Sequence, residues 1–358
     1  MQTRGLVFIP DISGFTRFVS ETEIGHSRII IQELLELLIN ANKIGLEVSE
    51  IEGDAILFYR YGDIPDLQEL YHQVENMFRE FHSYLAGYDT HRFCQCKACR
   101  SAVDLSLKII THYGEFTEYH VKSFNKLIGK DIIVAHQLLK NDIAQHEYWL
   151  LTQNLTEAKE PAPFARWMEW NQSAKQVEEG EIAFHYTQLS HLKAELTPVP
   201  QLRLEIEDKV KLLSVSREYD THIIKLFHAT GDFNYRSRWQ EGVQKVEEVT
   251  HFLPRVGMKC RRTMDNGTTT IYSSSYTFHP DRIEFSETDE DKNNATHYLL
   301  ENKGAGKVLL TIDYYARNSP QAEFHFSLKK DKTEAALERS LLRLEQLLGE
   351  IDVPLPDE

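Results

Sequence analysis

The chain has 358 residues, 41% of them hydrophobic and 27% charged, which is enough to build two ordinary globular domains. Its formal net charge of −15 argues against a general affinity for nucleic acid or anionic membranes, because both are polyanions. No apolar run approaches the roughly 20 residues that span a bilayer, and no signal peptide is visible. Since four cysteines in this length do not make a disulfide scaffold, the composition predicts a cytoplasmic protein with reduced thiols.

The first part of the chain alternates strands and helices. Leu6–Ile9 is a short apolar run typical of a buried strand, and residues 25–44 have the four-residue apolar spacing of a helix. Residues 46–52 and 54–60 predict a hairpin. The chain continues with a helix, a strand, a helix and a strand, at 67–85, 105–114, 130–141 and 147–152. This order predicts a ferredoxin-like, split βαβ sheet, in which the first strand ends beside the hairpin.

Two acids mark the predicted meeting point of the first strand and the hairpin. Asp11 ends the first strand, and Asp54 lies in the hairpin turn. Mg²⁺ is commonly held by one or two carboxylates and substrate phosphates, so the pair predicts a Mg²⁺ or Mn²⁺ site. The backbone N–H groups of Gly14, Phe15 and Thr16 follow Asp11 and predict phosphate binding. Taken singly, each acid also fits a simpler role, Asp11 as a helix cap and Asp54 as a turn residue.

Several motifs resemble those of class III nucleotidyl cyclases, the catalytic domain of adenylate and guanylate cyclases. "FIPDISGFTRF" and "EGDAILFY" are similar to the two metal motifs, and "HYGEF" and "KLIGKDIIVAHQLL" to a later strand and helix. The resemblance covers roughly residues 5–152. It implies a cyclase-type fold, a nucleotide held through a divalent metal on Asp11 and Asp54, and a homodimer.

Four positions depart from the pattern that this resemblance implies. Where the family reads the purine with a lysine and with an acid or threonine, this chain has Glu50 and Phe124. Where an asparagine orients the ribose and an arginine stabilises the phosphates, it has Ile133 and Gln137. Loss of one such electrostatic contact typically lowers a rate by orders of magnitude. The resemblance therefore implies an inherited site geometry without cyclase turnover.

The stretch "HRFCQCKACR" places three cysteines in one loop. Cys94, Cys96 and Cys99 can supply three of the four ligands of a structural zinc ion. His91 in the same stretch, or His82 on the preceding helix, is a candidate for the fourth ligand. The alternatives are three reduced thiols in a cytoplasmic loop, or a redox sensor.

The pattern changes after about residue 170, and the segment "ELTPVPQLRLE" carries two prolines without a helical period. Beyond it the sequence predicts a strand at 209–219, a short helix, several strands and a long amphipathic helix at 331–350. Strands packed on one long helix make an α+β domain. The prediction is therefore a first domain, a linker and a second domain, at 1–190, 191–205 and 206–358.

The second domain resembles the START-like, or SRPBCC, superfamily, which includes polyketide-cyclase-like and lipid-transfer proteins. The resemblance rests on "RWQEGVQKVEEVTHFLPRVGMKCRRTM" and covers roughly residues 208–350. It implies a helix-grip fold with a cavity for an apolar small molecule between the sheet and the long helix. In the alternative, the aromatic residues of this domain only fill its core. The candidates for lining a cavity are Trp239, Tyr272, Tyr276, Phe278, Phe285 and Tyr298.

Three hypotheses for function follow. The first is a non-catalytic binding or sensory protein that keeps a two-Asp metal or nucleotide site and binds an apolar ligand; this domain pairing resembles a bacterial family without an assigned activity. The second is an active metal-dependent nucleotidyl cyclase with atypical substrate contacts. The third is a scaffold that uses both folds for protein interaction. Ile133 and Gln137 argue against the second hypothesis, and the retained Asp11 and Asp54 favour the first over the third.

Overall fold

A computed structural model describes most of the chain, with the backbone alone at Phe124. The chain divides into two compact units, 1–89 with 97–199, and 90–96 with 200–358. Both units combine helices with a seven-stranded sheet, which confirms the α+β class predicted from the sequence. The described residues are 3–22, 24–92, 96–122, 124–157, 159–177, 180–197, 204–248, 256–265 and 267–353.

The first unit contains nine strands and seven α-helices among its described residues. Its two central strands, β1 and β4, are long and almost wholly buried, as their apolar sequences require. In chain order the elements are β1 (Arg4–Ser13), α1 (Phe15–Glu21), α2 (Ile24–Asn40), β2 (Glu47–Glu52), β3 (Ala55–Tyr61), α3 (Leu67–His91), α4 (Lys97–Ser101), β4 (Ser106–Glu115), β5 (Thr117–Val121), β6 (Phe124–Ile128), α5 (Lys130–Leu138), β7 (Tyr148–Thr152), α6 (Gln153–Thr156), β8 (Asn171–Val177), β9 (Gly180–Gln188) and α7 (His191–Ala194).

The main sheet of this unit has the strand order β2-β3-β1-β4-β7-β9-β8. β1 pairs antiparallel with β3 on one side and β4 on the other, while β4 and β7 are parallel. One face of the sheet buries Val7, Ile110 and Leu150 against Ile132 and Leu138 of α5. The first strand therefore lies inside the sheet, and its C-terminal end lies beside the β2–β3 hairpin.

Two hairpins of the first unit were not predicted from the sequence. β8 and β9 extend the main sheet beyond β7, and β5 and β6 form a separate two-stranded sheet. β8 is polar and largely exposed, so it lacks the apolar alternation from which strands are recognised. For the residues that form β8 and β9, the sequence analysis noted only a change of pattern after about residue 170, and it predicted no strand there.

The second unit is one antiparallel sheet with helices. Its strand order is β10-β16-β15-β14-β13-β12-β11, so that the first strand of the unit pairs with the last. In chain order the elements are β10 (Lys209–Asp220), α8 (Ile223–Gly231), α9 (Arg236–Trp239), β11 (Val243–Glu248), β12 (Lys259–Met264), β13 (Gly267–His279), β14 (Arg282–Asp289), β15 (Asn294–Gly304), β16 (Lys307–Arg317), α10 (Pro320–Ser327) and α11 (Lys330–Glu350).

The long helix α11 packs on this sheet through its leucine stripe. Leu337, Leu341 and Leu344 are buried in one core cluster with Ile283 and Leu310 of the sheet. This stripe has the helical spacing predicted from the sequence. Burial of each leucine side chain contributes about 2 kcal/mol to the stability of the folded unit. Within the part of the chain that the structure describes, no helix has the length and apolarity to cross a membrane.

Candidate functional site

Asp11 and Asp54 lie beside each other at one end of the first sheet. Asp11 is near the end of the central strand β1, and it is 8% exposed. In the ladder with β3 it faces Ala55, and the Ile12 N–H donates to the Asp54 carbonyl at 3.0 Å. Gly53 turns the hairpin with a φ of +62°, a conformation that glycine adopts without strain. The structure therefore brings together the two acids that the sequence places in separate motifs.

Lys108 is a third charged group at this site, and it was missed in the sequence. It faces Asp11 in the antiparallel ladder between β1 and β4. Its Nζ lies 3.4 Å from Asp11 Oδ1 and donates to the Leu139 carbonyl at 3.0 Å. The two charged side chains are only 14% and 12% exposed. The available signal was a single lysine inside the apolar run "LSLKIITHYG".

Burial makes two negative charges costly at this site. It raises the pKa of Asp11 to about 6; the Lys108 ammonium opposes this shift and the Asp54 carboxylate adds to it. Burial also raises the pKa of Asp54, against the effects of its own backbone N–H and of Lys108. Tyr148 lies in the same environment, where burial raises its pKa to about 12 and the Asp11 charge contributes. The site therefore favours a compensating positive charge.

The predicted phosphate-binding turn forms the start of α1. Gly14 has a φ of 90° directly before this seven-residue helix, and its carbonyl accepts from the Phe18 N–H at 3.0 Å. Phe15 packs towards the hairpin, since a Cβ at Gly53 would lie 3.8 Å from its ring. Gly14, Phe15 and Thr16 thus follow the acid-bearing end of β1, and phosphate binding by them stays a prediction.

The positions that depart from the cyclase pattern carry other contacts. Glu50 forms an ion pair with Lys126 on β6, so an acid with its own partner stands where the resemblance implies a lysine that reads the purine. Ile133 is 55% exposed on α5, and Gln137 lies one turn further along the same helix. The side chain of Phe124 lies outside the described part of the chain. Neutral side chains therefore stand where the resemblance implies the ribose-binding and phosphate-binding groups.

The three-cysteine loop is described only in part, because Cys94 lies outside the described residues. Cys99 is buried, and its Sγ lies 3.3 Å from His26 Nδ1. A thiol and an imidazole at this distance are ligand types that zinc accepts.

The two histidines predicted as candidates for the fourth zinc ligand are both buried. His91 is 7% exposed, and His82 is 5% exposed. His82 packs on Phe78 with ring centroids 4.3 Å apart, and its Nε2 lies 3.4 Å from Ser106 Oγ. Burial lowers the pKa of His82 to about 3, so it is a neutral core histidine. Zinc at the loop stays a prediction, with His26 as the new candidate ligand.

The second unit contains a cavity of about 550 Å³ between its sheet and helices α10 and α11. Apolar side chains line much of it, among them Met264, Ile271 and Leu337. Gln240 also lines it, is 8% exposed, and has an Oε1 atom without a hydrogen-bond partner among the described residues. A buried acceptor without a partner costs about 1–3 kcal/mol.

The aromatic residues predicted to line a cavity are placed differently. Trp239, Phe285 and Tyr298 are buried in the core cluster of the unit, where the last two stack with centroids 4.4 Å apart. Tyr276 packs against that cluster, and Phe278 is 37% exposed. Lys259 Nζ lies 5.0 Å from the ring centroid of Tyr272. Trp239, Phe285 and Tyr298 therefore fill the core, as the alternative prediction stated. None of the six candidate aromatic residues lines the cavity described above.

A buried ion pair lies beside the cavity and was also missed in the sequence. Arg236 is fully buried and forms an ion pair with Glu287, which is 5% exposed. Its guanidinium also donates to Tyr298 Oη at 2.6 Å and to the Thr230 carbonyl at 2.9 Å. Although burial opposes the charged form, the Glu287 carboxylate raises the pKa of Arg236 above its usual value. The pair fixes α9 against β14 and shapes one wall of the cavity through Glu287.

Part of the chain matches known sequences. Residues 31–148 match the family described as "Protein of unknown function (DUF2652)". The chain is 32% identical over 120 residues to the "Uncharacterized protein Rv2561/Rv2562" of Mycobacterium tuberculosis (strain ATCC 25618 / H37Rv). That similarity covers 34% of this chain and 56% of the relative, so the chain spans about half the length of this curated relative.

Solved structures similar to the chain are adenylyl and guanylyl cyclases. A bacterial light-regulated adenylyl cyclase is 16% identical, with a TM-score of 0.38, over 54% of this chain and 95% of that one. The guanylate cyclase domain of RhGC from Catenaria anguillulae is 13% identical, with a TM-score of 0.37, over 52% and 97%. The adenylyl cyclase CyaB from P. aeruginosa is 12% identical, with a TM-score of 0.36, over 52% and 93%.

Proposed function

We propose that the protein binds a small molecule in its second unit and that its first unit is a cyclase-like module without cyclase turnover. The observation that carries this proposal is the cavity of about 550 Å³ between the sheet and α11, whose wall includes the buried Gln240. Concave sites of this size with a few polar groups in apolar walls are the usual form of ligand pockets.

The strand order of the second unit supports a START-like, helix-grip assignment. Two helices, α8 and α9, separate β10 from the six following strands, and the first strand pairs with the last. The long helix α11 then returns across the sheet and contributes Leu337, Leu341 and Leu344 to the core. This arrangement leaves space beside the N-terminal half of α11, where the cavity lies.

The lining is mixed and indicates a ligand with both apolar and polar groups. Leu212, Met264 and Phe326 supply apolar wall, whereas polar and charged side chains such as Gln240, Arg262 and Glu287 supply much of the rest. We therefore propose an amphiphilic small molecule as the ligand class.

A pair of alanines on α11 allows a matched test of the cavity. Ala336 lines it, whereas its neighbour Ala335 does not. We expect wild type to bind anilinonaphthalene sulfonate, a bulky apolar probe with polar groups, at one site in a calorimetric titration. Ala336→Trp fills the cavity and should abolish this binding, and Ala335→Trp should retain it, with circular dichroism confirming that both variants fold. Equal binding by the two variants would place the probe elsewhere and contradict the proposal.

The first unit carries an acid at the purine-reading position and neutral groups at Ile133 and Gln137. Because phosphoryl chemistry depends on positioning and charge stabilisation, we expect no cyclic product from ATP or GTP with Mg²⁺ or Mn²⁺. The measurement is product analysis by chromatography. A cyclic nucleotide whose formation is abolished by Asp11→Ala would overturn this half of the proposal.

A second candidate for the first unit is metal-dependent nucleotide binding without turnover. The convergence of Asp11 and Asp54 favours it, since these acids lie where the resemblance implies a Mg²⁺ or Mn²⁺ site. A calorimetric titration with Mn²⁺ and ATP, on wild type and on the variant with both acids changed to alanine, tests it directly. Binding that requires both the metal and the two acids would support this candidate.

A further inference from the structure

The position of Lys108 bears on whether the two-Asp site holds a metal at all. Lys108 faces Asp11 across the β1–β4 ladder, so its side chain reaches the same end of the sheet. Its ammonium lies 3.4 Å from Asp11 Oδ1, and it also donates to the carbonyl of Leu139, the C-cap residue of α5. The ammonium is thus fixed between a carboxylate and a helix C-terminus, both of which attract a cation.

The site in this arrangement does not fit a divalent ion. Mg²⁺ binds carboxylate oxygens at about 2.1 Å and usually keeps several waters, so it needs open space around the Asp11 and Asp54 oxygens. The Lys108 ammonium occupies space next to Asp11 Oδ1. An ion bound there would lie close to another positive charge in a site where both partners of the ion pair are less than 15% exposed, so that repulsion is weakly screened.

The electrostatics of the three groups agree with this placement. The Lys108 ammonium contacts Asp11 directly, and Asp54 follows Gly53 in the hairpin turn beside Asp11. One lysine charge therefore lies where a divalent ion would lie in a metal site.

We propose that the Lys108 ammonium is the resident cation of the two-Asp site, where it takes the place of a divalent metal. This inference deepens the proposed loss of cyclase turnover and rests on it, and it argues against the second candidate, metal-dependent nucleotide binding. Asp11, Asp54 and Lys108 form a metal-free charge cluster that connects β1, the β2–β3 hairpin, β4 and the end of α5. Removal of the lysine charge should uncover a metal site that the wild-type protein does not use.

The test is a Mn²⁺ titration of the full chain without nucleotide, followed by the paramagnetic resonance signal of free Mn²⁺. Lys108→Met removes the charge at similar length, and Lys108→Arg keeps it. We expect wild type and Lys108→Arg to show no site that depends on Asp11, and Lys108→Met to bind one Mn²⁺ at least about tenfold more tightly. Adding Asp11→Asn to Lys108→Met should abolish the gain, and the exposed Lys140→Met should behave as wild type.

Wild-type binding of one Mn²⁺ that Asp11→Asn removes would overturn the inference, and so would the absence of a gain in a folded Lys108→Met. The wild-type and Asp11→Asn arms decide this even if Lys108→Met does not fold. Failure here is distinct from failure of the proposed function. Wild-type metal binding at Asp11 without a cyclic product would overturn only the lysine inference. A cyclic product, or equal probe binding by Ala336→Trp and Ala335→Trp, would overturn the proposed function.

Discussion

His82 is a buried histidine whose environment disfavours the protonated form of its ring. It lies inside the first unit on α3, packed on Phe78, with Ser106 as its polar neighbour. Burial lowers its pKa from 6.5 to about 3, and the charge of Lys193 contributes. The unfolded chain therefore binds a proton between pH 6.5 and 3 that the folded chain does not. Stability contributed by the neutral ring is fully present above pH 6.5 and is lost as the pH falls towards 3.

The first prediction concerns this acid sensitivity. Each unit of the pKa difference corresponds to about 1.4 kcal/mol, so the free energy of unfolding should fall by about 2 kcal/mol between pH 6.5 and pH 5 through this residue alone. Urea unfolding at both pH values, in wild type and in His82→Gln, measures the difference. The variant should lose this part of the pH dependence. His72→Gln on the same helix is the control, because that side chain is 63% exposed and should change little; an equal effect of both variants would contradict the assignment.

At the residue scale, the sequence was sufficient for groups that belong to local motifs. Asp11 and Asp54 were recognisable because each lies at the end of a strand beside a turn. Lys108 could not be recognised as part of the site, because its position opposite Asp11 depends on the pairing register between β1 and β4. A register shift of one residue would turn its side chain to the other face of the sheet. His26 near Cys99 is likewise a long-range contact.

At the scale of elements, the Arg236–Glu287 pair connects the short helix α9 to the strand β14. Both groups are buried, and the guanidinium has further partners in Tyr298 and the Thr230 carbonyl. Such a pair costs desolvation when it forms, but removal of one partner leaves an uncompensated buried charge. The connection is therefore strongly sensitive to single substitutions and much less sensitive to a matched double substitution.

The second prediction follows from that asymmetry. Arg236→Met should lower the free energy of unfolding by about 3–5 kcal/mol, because Glu287 is left buried without its cation. The double variant Arg236→Met with Glu287→Leu should recover much of the loss, since no charge remains in the site. Urea unfolding of wild type, both single variants and the double variant gives the coupling energy. Additive losses would show that the two residues act independently and would contradict the prediction.

Elements with a strong apolar period were predictable, and elements without one were not. β1, β4 and α11 carry buried runs or stripes that the sequence displays directly. β8 does not, since most of its residues are exposed, and only pairing with β9 makes it a strand. Phe326, which lines the cavity, lies on the short helix α10, which Ser319 caps and Pro320 begins. The cavity is lined by residues from several strands and two helices, and sequence patterns alone could not predict which of them meet.

At the scale of the whole molecule, each unit has a core of its own. In the first unit, Val7, Ile110 and Leu150 pack with residues of α5. In the second, Leu310 and Leu344 belong to a separate cluster between the sheet and its helices. Because each core cluster is confined to one unit, disruption of a cluster should destabilise its own unit first.

The last prediction uses one fully buried leucine in each core. Leu150 on β7 and Leu344 on α11 are both 0% exposed, so truncation to alanine leaves a cavity and should cost about 2–5 kcal/mol in either case. Hydrogen exchange followed by mass spectrometry reports on peptides from each unit separately. Leu344→Ala should speed exchange in β10–β16 and α11 and leave β1, β4 and β7 unchanged, and Leu150→Ala should do the reverse. Faster exchange throughout the chain in either variant would mean that the two cores unfold as one cooperative body, which separate clusters do not predict.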